Sequence, residues 1–258
     1  MTKSDYEYND IIFSLRKIGL EQGDSVFIHS NLGFFGKLKD ANDSTDYNRF
    51  FKNAIFEVIG EQGTMITPTF SYSFCNSERF DVKETPGICG MFSEFIRKDT
   101  TSTRSNDPNF SISAIGKYAD FFTRDCSSHS FGKSSFWERF LDKKGKICNF
   151  NFDSASTLFH YIEKILNVNY RFDKKFQGEL KIGDKYEIKS FEHFVYDKNK
   201  LQHTPNFEKF HNKAMELKKV NICNLGRGQI TCISAEDTLN LIKKEIKIKP
   251  NFLIDGQI

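Results

Sequence analysis

An α/β fold, a sheet with helices on both faces followed by an α+β C-terminal portion, is what the sequence predicts. Short apolar runs bounded by turn residues alternate with amphipathic segments up to about residue 166. From about Phe176 that alternation gives way to a hairpin pattern. The chain has 258 residues, enough to bury a substantial core. With no linker, repeat or low-complexity tract, one domain is expected over 1–258.

Each element follows from local signals. An amphipathic helix is expected over 10–18, ending near Gly19, then a turn at Gly23-Asp24 and the strand SVFIH, 25–29. A helix over 46–59 stops at Gly60, and the strand TMITP occupies 64–68. A helix over 91–97 precedes a long polar loop, two helices over 116–122 and 134–141, and the strand KICNF, 146–150. The next helix, 156–166, starts behind the capping types Asp153, Ser154 and Ser156. GELKIGDKYEIKSFEHFVYD reads as a hairpin turning at Gly183-Asp184, then a strand or short helix. A helix over 206–217, strands over 221–225 and 229–233 about a Gly226-Arg227-Gly228 turn, and a helix over 236–246 close the chain.

Composition narrows the function. A net charge of +3 from 37 basic and 34 acidic residues gives no global case for nucleic acid or membrane partners. No apolar run approaches the ~18 residues of a membrane span, and the polar, acidic start MTKSDYEYND is unlike a leader, so a cytoplasmic location is expected. Cys75, Cys89, Cys126, Cys148, Cys223 and Cys232 show no C-x-x-C, which predicts buried free thiols and no metal site. The 28 phenylalanines beside one tryptophan read as core filling.

The 156–166 helix carries the chemical signal. At about 100° per residue Leu158, Ile162, Ile165 and Leu166 form one side, and Thr157, His160, Glu163 and Lys164 the other. A histidine one turn from a carboxylate, just past a strand end, is where an α/β protein would hold a general base. The plain alternative is a solvated polar stripe. HSNL (29–32), TPTFS (67–71) and this helix each follow a strand, so together they predict a cleft at strand carboxyl ends. His129, His193, His203 and His211 show no ligand spacing and read as surface or structural.

In order, GDSVFIHSNLGFFG, GTMITPTFS, RSNDPNFSISAIG, GKSSFWERF, TLFHYIE and NYRFDKKFQGEL closely resemble the aminoglycoside 3-N-acetyltransferase, or antibiotic N-acetyltransferase, family over nearly the whole chain. The resemblance implies an α/β/α sandwich with a mixed central sheet, acetyl-CoA or another acyl thioester as donor, and an amino sugar as acceptor. On it, His160 of T-x-x-H-x-x-E is the base that takes the proton from the attacking amine. Glu163 would orient the ring, with Glu187, Glu192 and Asp197 as open alternatives. Thr69 corresponds to a hydroxyl near the thioester. Ser30, Asn31 and Leu32 resemble the stretch along the pantetheine arm, and His29, Phe70 and Ser71 border it, His29 either touching cofactor or merely packing. Arg104, Ser105, Asp107 and Ser111 lie in a second cofactor-contacting segment, with Arg104 placed for phosphate.

Two departures stand out. Resistance enzymes of this kind carry His where this chain has Asp107, and often where it has Phe110; a glycine expected near Phe150 is also replaced. With the YRFDKKF segment and the mildly positive charge, these features look more like surface-polysaccharide relatives, so the expected acceptor is a nucleotide-linked amino sugar, with an aminoglycoside as the alternative. A serine hydrolase using Ser30 or Ser71 would need a G-x-S-x-G elbow, which does not occur. The complete T-x-x-H-x-x-E set argues against a non-catalytic binding protein, and a homodimer is left open.

Overall fold

The structure is a computed structural model that describes residues 4–182, 184–197 and 204–256. In chain order its N-terminal half contains α1 (Tyr8–Lys17), β1 (Ser25–Ser30), α2 (Ser44–Ile59), β2 (Thr64–Pro68), β3 (Phe80–Asp81), α3 (Met91–Arg97), β4 (Thr103–Arg104) and β5 (Ile112–Gly116). There follow α4 (Ala119–Thr123), α5 (Phe136–Asp142), β6 (Lys146–Phe150), α6 (Leu158–Ile165), β7 (Arg171–Ile182) and β8 (Lys185–Tyr196). The chain closes through β9 (Thr204–Pro205), α7 (Glu208–Glu216), β10 (Asn221–Leu225), β11 (Gly228–Ser234), α8 (Ala235–Ile248) and β12 (Ile254–Asp255).

Seven strands form a mixed sheet in the order β10-β11-β6-β1-β2-β5-β4. The three central strands run parallel, and the flanking β11 and β5 are antiparallel to them. Alternation along each strand feeds two cores. Val26, Ile28, Met65, Cys148 and Phe150 pack against α1, α2 and α3, while Phe27, Ile66 and Ile147 pack against α4 to α8. The result is an α/β/α sandwich, with β10, β11 and α8 supplying the α+β C-terminal portion. No helix among the described residues is long and apolar enough to cross a membrane.

The bounds of β2, β6, α3 and β10 coincide with those expected from sequence. The expected polar loop after α3 instead holds β4 and β5. Ile112 and Ala114 face one core, while Ser111 and Ser113 turn the other way and hydrogen-bond within the sheet, so the strand looks polar. β7 starts earlier than expected and pairs with β8 over its whole length, so the undecided segment is strand. With β3 these strands form a small second sheet over Phe74, Phe80, Leu180 and Phe191. Asp184 follows the hairpin tip, whereas Gly183 and His203 lie outside the described residues.

All six cysteines are free, but only Cys148, Cys223 and Cys232 are buried; Cys75 is exposed. Most phenylalanines fill the cores, yet Phe13, Phe34, Phe121, Phe152 and Phe172 stay exposed.

Phe27 centres the larger core, its ring 4.9 Å from that of Trp137 and 5.6 Å from that of Phe136. Its truncation in Phe27→Ala should cost about 3–5 kcal/mol, because close-packed neighbours cannot collapse into the void. Denaturant midpoints of the two proteins check this.

Candidate active site

β1 is the pivot of the sheet, with the chain crossing to β2 on one side and to β6 on the other. Connections therefore diverge at the carboxyl ends of these strands and leave a crevice there. A cavity of about 320 Å³ occupies it, lined by His29, Ser30, Pro68, Phe70, Asn149, Phe152, Asp153 and Thr157, with Cys89 beside them. Thr157, which lines the cavity, precedes His160 by three residues, so the histidine follows one helical turn beyond the cavity wall.

Asn149, the penultimate residue of β6, sets the start of α6. Its Nδ2 donates to the carbonyls of Asp153 at 2.5 Å and Ala155 at 2.9 Å, which fixes the turn leading into the helix. The Asn149 Oδ1 is then left to accept from His29 Nδ1 at 2.9 Å. After β6 the chain turns at Asn151, whose φ of +62° is a left-handed conformation that asparagine tolerates in place of glycine.

The His160 ring keeps 21% of its surface exposed, edge-on to Phe131 at 5.4 Å and tilted against Phe207 at 6.0 Å. Its Nδ1 lies 2.9 Å from Glu163 Oε2, so Glu163, and not Glu187, Glu192 or Asp197, is its carboxylate partner. Glu163 is fully buried, contrary to its place on the expected solvent side. β7 and the residue before it cover that side. Tyr170 Oη donates to Glu163 Oε1 at 3.0 Å. Arg171 Nε sits 2.8 Å from Oε2, off the line of its N–H, so that contact is an ion pair. Arg171 also donates to the Phe194 carbonyl at 3.1 Å and lies 3.7 Å over the Tyr196 ring.

These contacts decide protonation. Burial raises the Glu163 carboxyl, but the His160 hydrogen bond, the Arg171 charge and the Tyr170 hydroxyl outweigh it and hold the pKa below the usual value. An ionised carboxylate only accepts, so His160 carries its proton on Nδ1 and presents a bare Nε2. Burial, then Arg171, lower the His160 pKa against the opposing pull of Glu163. His29 is also lowered by burial, against the Asn149 hydrogen bond. Both imidazoles are therefore neutral near pH 7; Asp153 favours the charged form of His29 only through space, whereas His160 has a carboxylate hydrogen-bonded to its ring.

The other expected site residues divide into two groups. His29, Ser30 and Phe70 line the cavity, and Asn31 stands at its mouth, lining an adjoining cavity. Leu32 is buried in the core against α2. Thr69 is fully buried, its hydroxyl donating to the Ser111 carbonyl at 3.1 Å in the β2–β5 seam, on the opposite side of the sheet from α6. Ser71 donates to the Pro108 carbonyl at 2.8 Å. Arg104 commits its N–H groups to Ser111 Oγ and to the carbonyls of Thr69, Val82 and Thr85. Ser111 donates to the Thr69 carbonyl at 2.7 Å, and Ser105 accepts from Ile112 N at 3.0 Å. Asp107 caps the backbone of Asn109 and Phe110 and accepts from Ser130. This segment braces the cavity wall from behind.

Sequence reasoning missed Tyr170, Arg171 and Asn149. An arginine opening a strand shortly after the helix was the available signal for Arg171. Among the described residues no group of three or more His, Cys, Asp or Glu could hold a metal ion.

Replacing Arg171 by Met removes a cation that disfavours the imidazolium, so the His160 pKa should rise. Histidine NMR titration of Arg171→Met against the unaltered protein checks the sign; an equal or lower pKa would contradict it.

The model of the family described as aminoglycoside 3-N-acetyltransferase matches residues 27–247. No curated protein matches the sequence. Among solved structures, aminoglycoside acetyltransferase AAC(3)-Xa superposes with a TM-score of 0.80 at 16% identity, over 93% of this chain and 92% of that one. AAC-VIa bound to sisomicin gives 0.81 at 20%, over 95% and 98%. AAC-IIIb in its binary complex with CoASH gives 0.80 at 17%, over 94% and 97%. At these identities the superpositions establish the shared fold, while the family match spans most of the sequence. The chain thus belongs to the aminoglycoside 3-N-acetyltransferase family and is a CoA-dependent N-acetyltransferase.

Proposed function

We propose that the protein transfers an acetyl group from acetyl-CoA to the amine of an amino sugar by direct attack, with His160 as general base. The carrying observation is the bare Nε2 of a neutral imidazole backed by a buried carboxylate. Only a neutral amine has a lone pair, and a base of near-neutral pKa removes its proton efficiently. The donor supplies an activated acyl carbon. As the N–C bond forms, Nε2 takes the amine proton and the C–S bond breaks, with the electron pair leaving on sulfur. Glu163 stabilises the imidazolium, and Arg171 keeps Glu163 ionised.

Pro68, Phe70 and Phe152 give the cavity an apolar wall suited to a thioester arm. Ser30 Oγ is buried there without a hydrogen-bond partner among the described residues, a donor available to an acyl or amide carbonyl. We assign His29, Ser30, Asn31 and Phe70 to the donor's channel, with Leu32 and Ser71 supporting it from behind. Thr69, Arg104, Ser105, Asp107 and Ser111 shape it through the contacts above. Residues 1–258 then act as one domain, in the cytoplasm. A Ser–His hydrolase fits less well, since the His160 ring makes its hydrogen bond to Glu163 and none to Ser30 or Ser71.

For the acceptor, the comparisons favour an aminoglycoside: AAC-VIa is bound to sisomicin, and a mutant of AAC(3)-IVa is in complex with a gentamicin. A nucleotide-linked amino sugar is the second reading. It is favoured by the crevice, whose two adjoining cavities share one lining carboxylate, Asp153, where a polycation would want several. Incubation with acetyl-CoA and either gentamicin-type drugs or UDP- and dTDP-linked amino sugars separates the two. Turnover of only one class selects it, and no acetylation of any amine would overturn the assignment.

His160→Ala should lower kcat by about 10²–10⁴-fold with the fold retained by circular dichroism. Unchanged acyl transfer would refute the base. In the unaltered enzyme kcat should fall as pH drops through the His160 pKa, with the acid limb below the ordinary histidine value of 6.5.

A further inference from the structure

Beside the thioester cavity lies a second one of about 660 Å³, sharing Phe152 and Asp153 with it. Two of the five exposed phenylalanines, Phe34 at 66% and Phe152 at 45%, line this one cavity. Its floor is rigid. Asn151 Nδ2 donates to the Asn31 carbonyl at 2.8 Å, and Asn151 Oδ1 accepts from Gln229 N at 3.1 Å. A Cβ on Gly228 would come within 1.8 Å of that same Oδ1, so the close approach requires glycine.

The side-chain amides of Asn31, Asn224 and Gln229 also line the cavity and make no hydrogen bond to protein among the described residues. Charge among the lining residues is nearly balanced, with Asp153 and with Arg227, which is paired to Asp5 at 2.9 Å. Two exposed aromatic rings and amides without protein partners, lining one cavity, suit a flat heterocycle. Stacking satisfies its faces, and an amide offers the donor and acceptor that a base edge requires.

We propose that this cavity is a nucleobase site, with the base against Phe34 and Phe152 and its edge read by the amides of Asn31 and Gln229. The source of the base rests on the acyl-transfer reading. It is either the adenine of the CoA donor or the base of a nucleotide-linked acceptor, since both carry a nucleotide away from the reacting atoms.

Calorimetric titration with adenosine 3′,5′-bisphosphate, UDP and dTDP, on the unaltered protein and on Phe34→Ala, tests the site. At least one nucleotide should bind, and Phe34→Ala should weaken it about tenfold without changing Tm, because Phe34 lies outside the cores. Loss confined to the bisphosphate assigns the site to the donor; loss confined to UDP or dTDP assigns it to the acceptor. Absence of nucleotide binding, or equal binding by the variant, overturns the proposal. Binding is read without turnover, so a protein that binds nucleotide but acetylates nothing would refute the acyl-transfer reading alone.

Discussion

A carboxylate with no solvent exposure, Glu163, held between an imidazole and a guanidinium, is the constraint on which the rest of the molecule depends. Left alone, a buried carboxylate costs several kcal/mol or takes up a proton. One partner, His160, comes from α6 itself, and the others arrive on β7 and the residue before it. The small sheet is thus more than an appendage, since it closes the face of α6 that a helix wheel assigns to water. Arg171 in turn is held by the Phe194 carbonyl and the Tyr196 ring, which ties β8 into the same arrangement.

The strand ends do the complementary work. Asn149 joins His29 to the backbone turn that begins α6, so the two imidazoles near the cavity are positioned by one side chain. They share a protonation state but differ in what stands behind the ring. An amide fixes a tautomer and contributes no charge, whereas Glu163 does both. That difference is a physical reason for assigning the proton transfer to His160.

Much of this was legible in the sequence where information is local. Runs such as TMITP and KICNF declare buried strands, and their bounds coincide with β2 and β6. Histidine and glutamate three apart on a helix announced a pair. What stayed hidden is long-range. The burial of Glu163 depends on β7, whose pairing no periodicity in α6 reports. β5 was masked because Ser113, and Ser111 just before the strand, face sheet neighbours rather than water. Phenylalanine content read as core filling, and most of it is, but Phe34 and Phe152 border cavities and can be separated from the rest only by their surroundings.

The account's central claim is that the Glu163 carboxylate supports the imidazolium of His160, and the pH dependence of kcat in Glu163→Gln tests it most directly. The account predicts an acid limb moved to lower pH, since Glu163 raises the His160 pKa, and a plateau kcat lowered by on the order of 10²–10⁴-fold. A folded variant with an unmoved limb and undiminished kcat would contradict it.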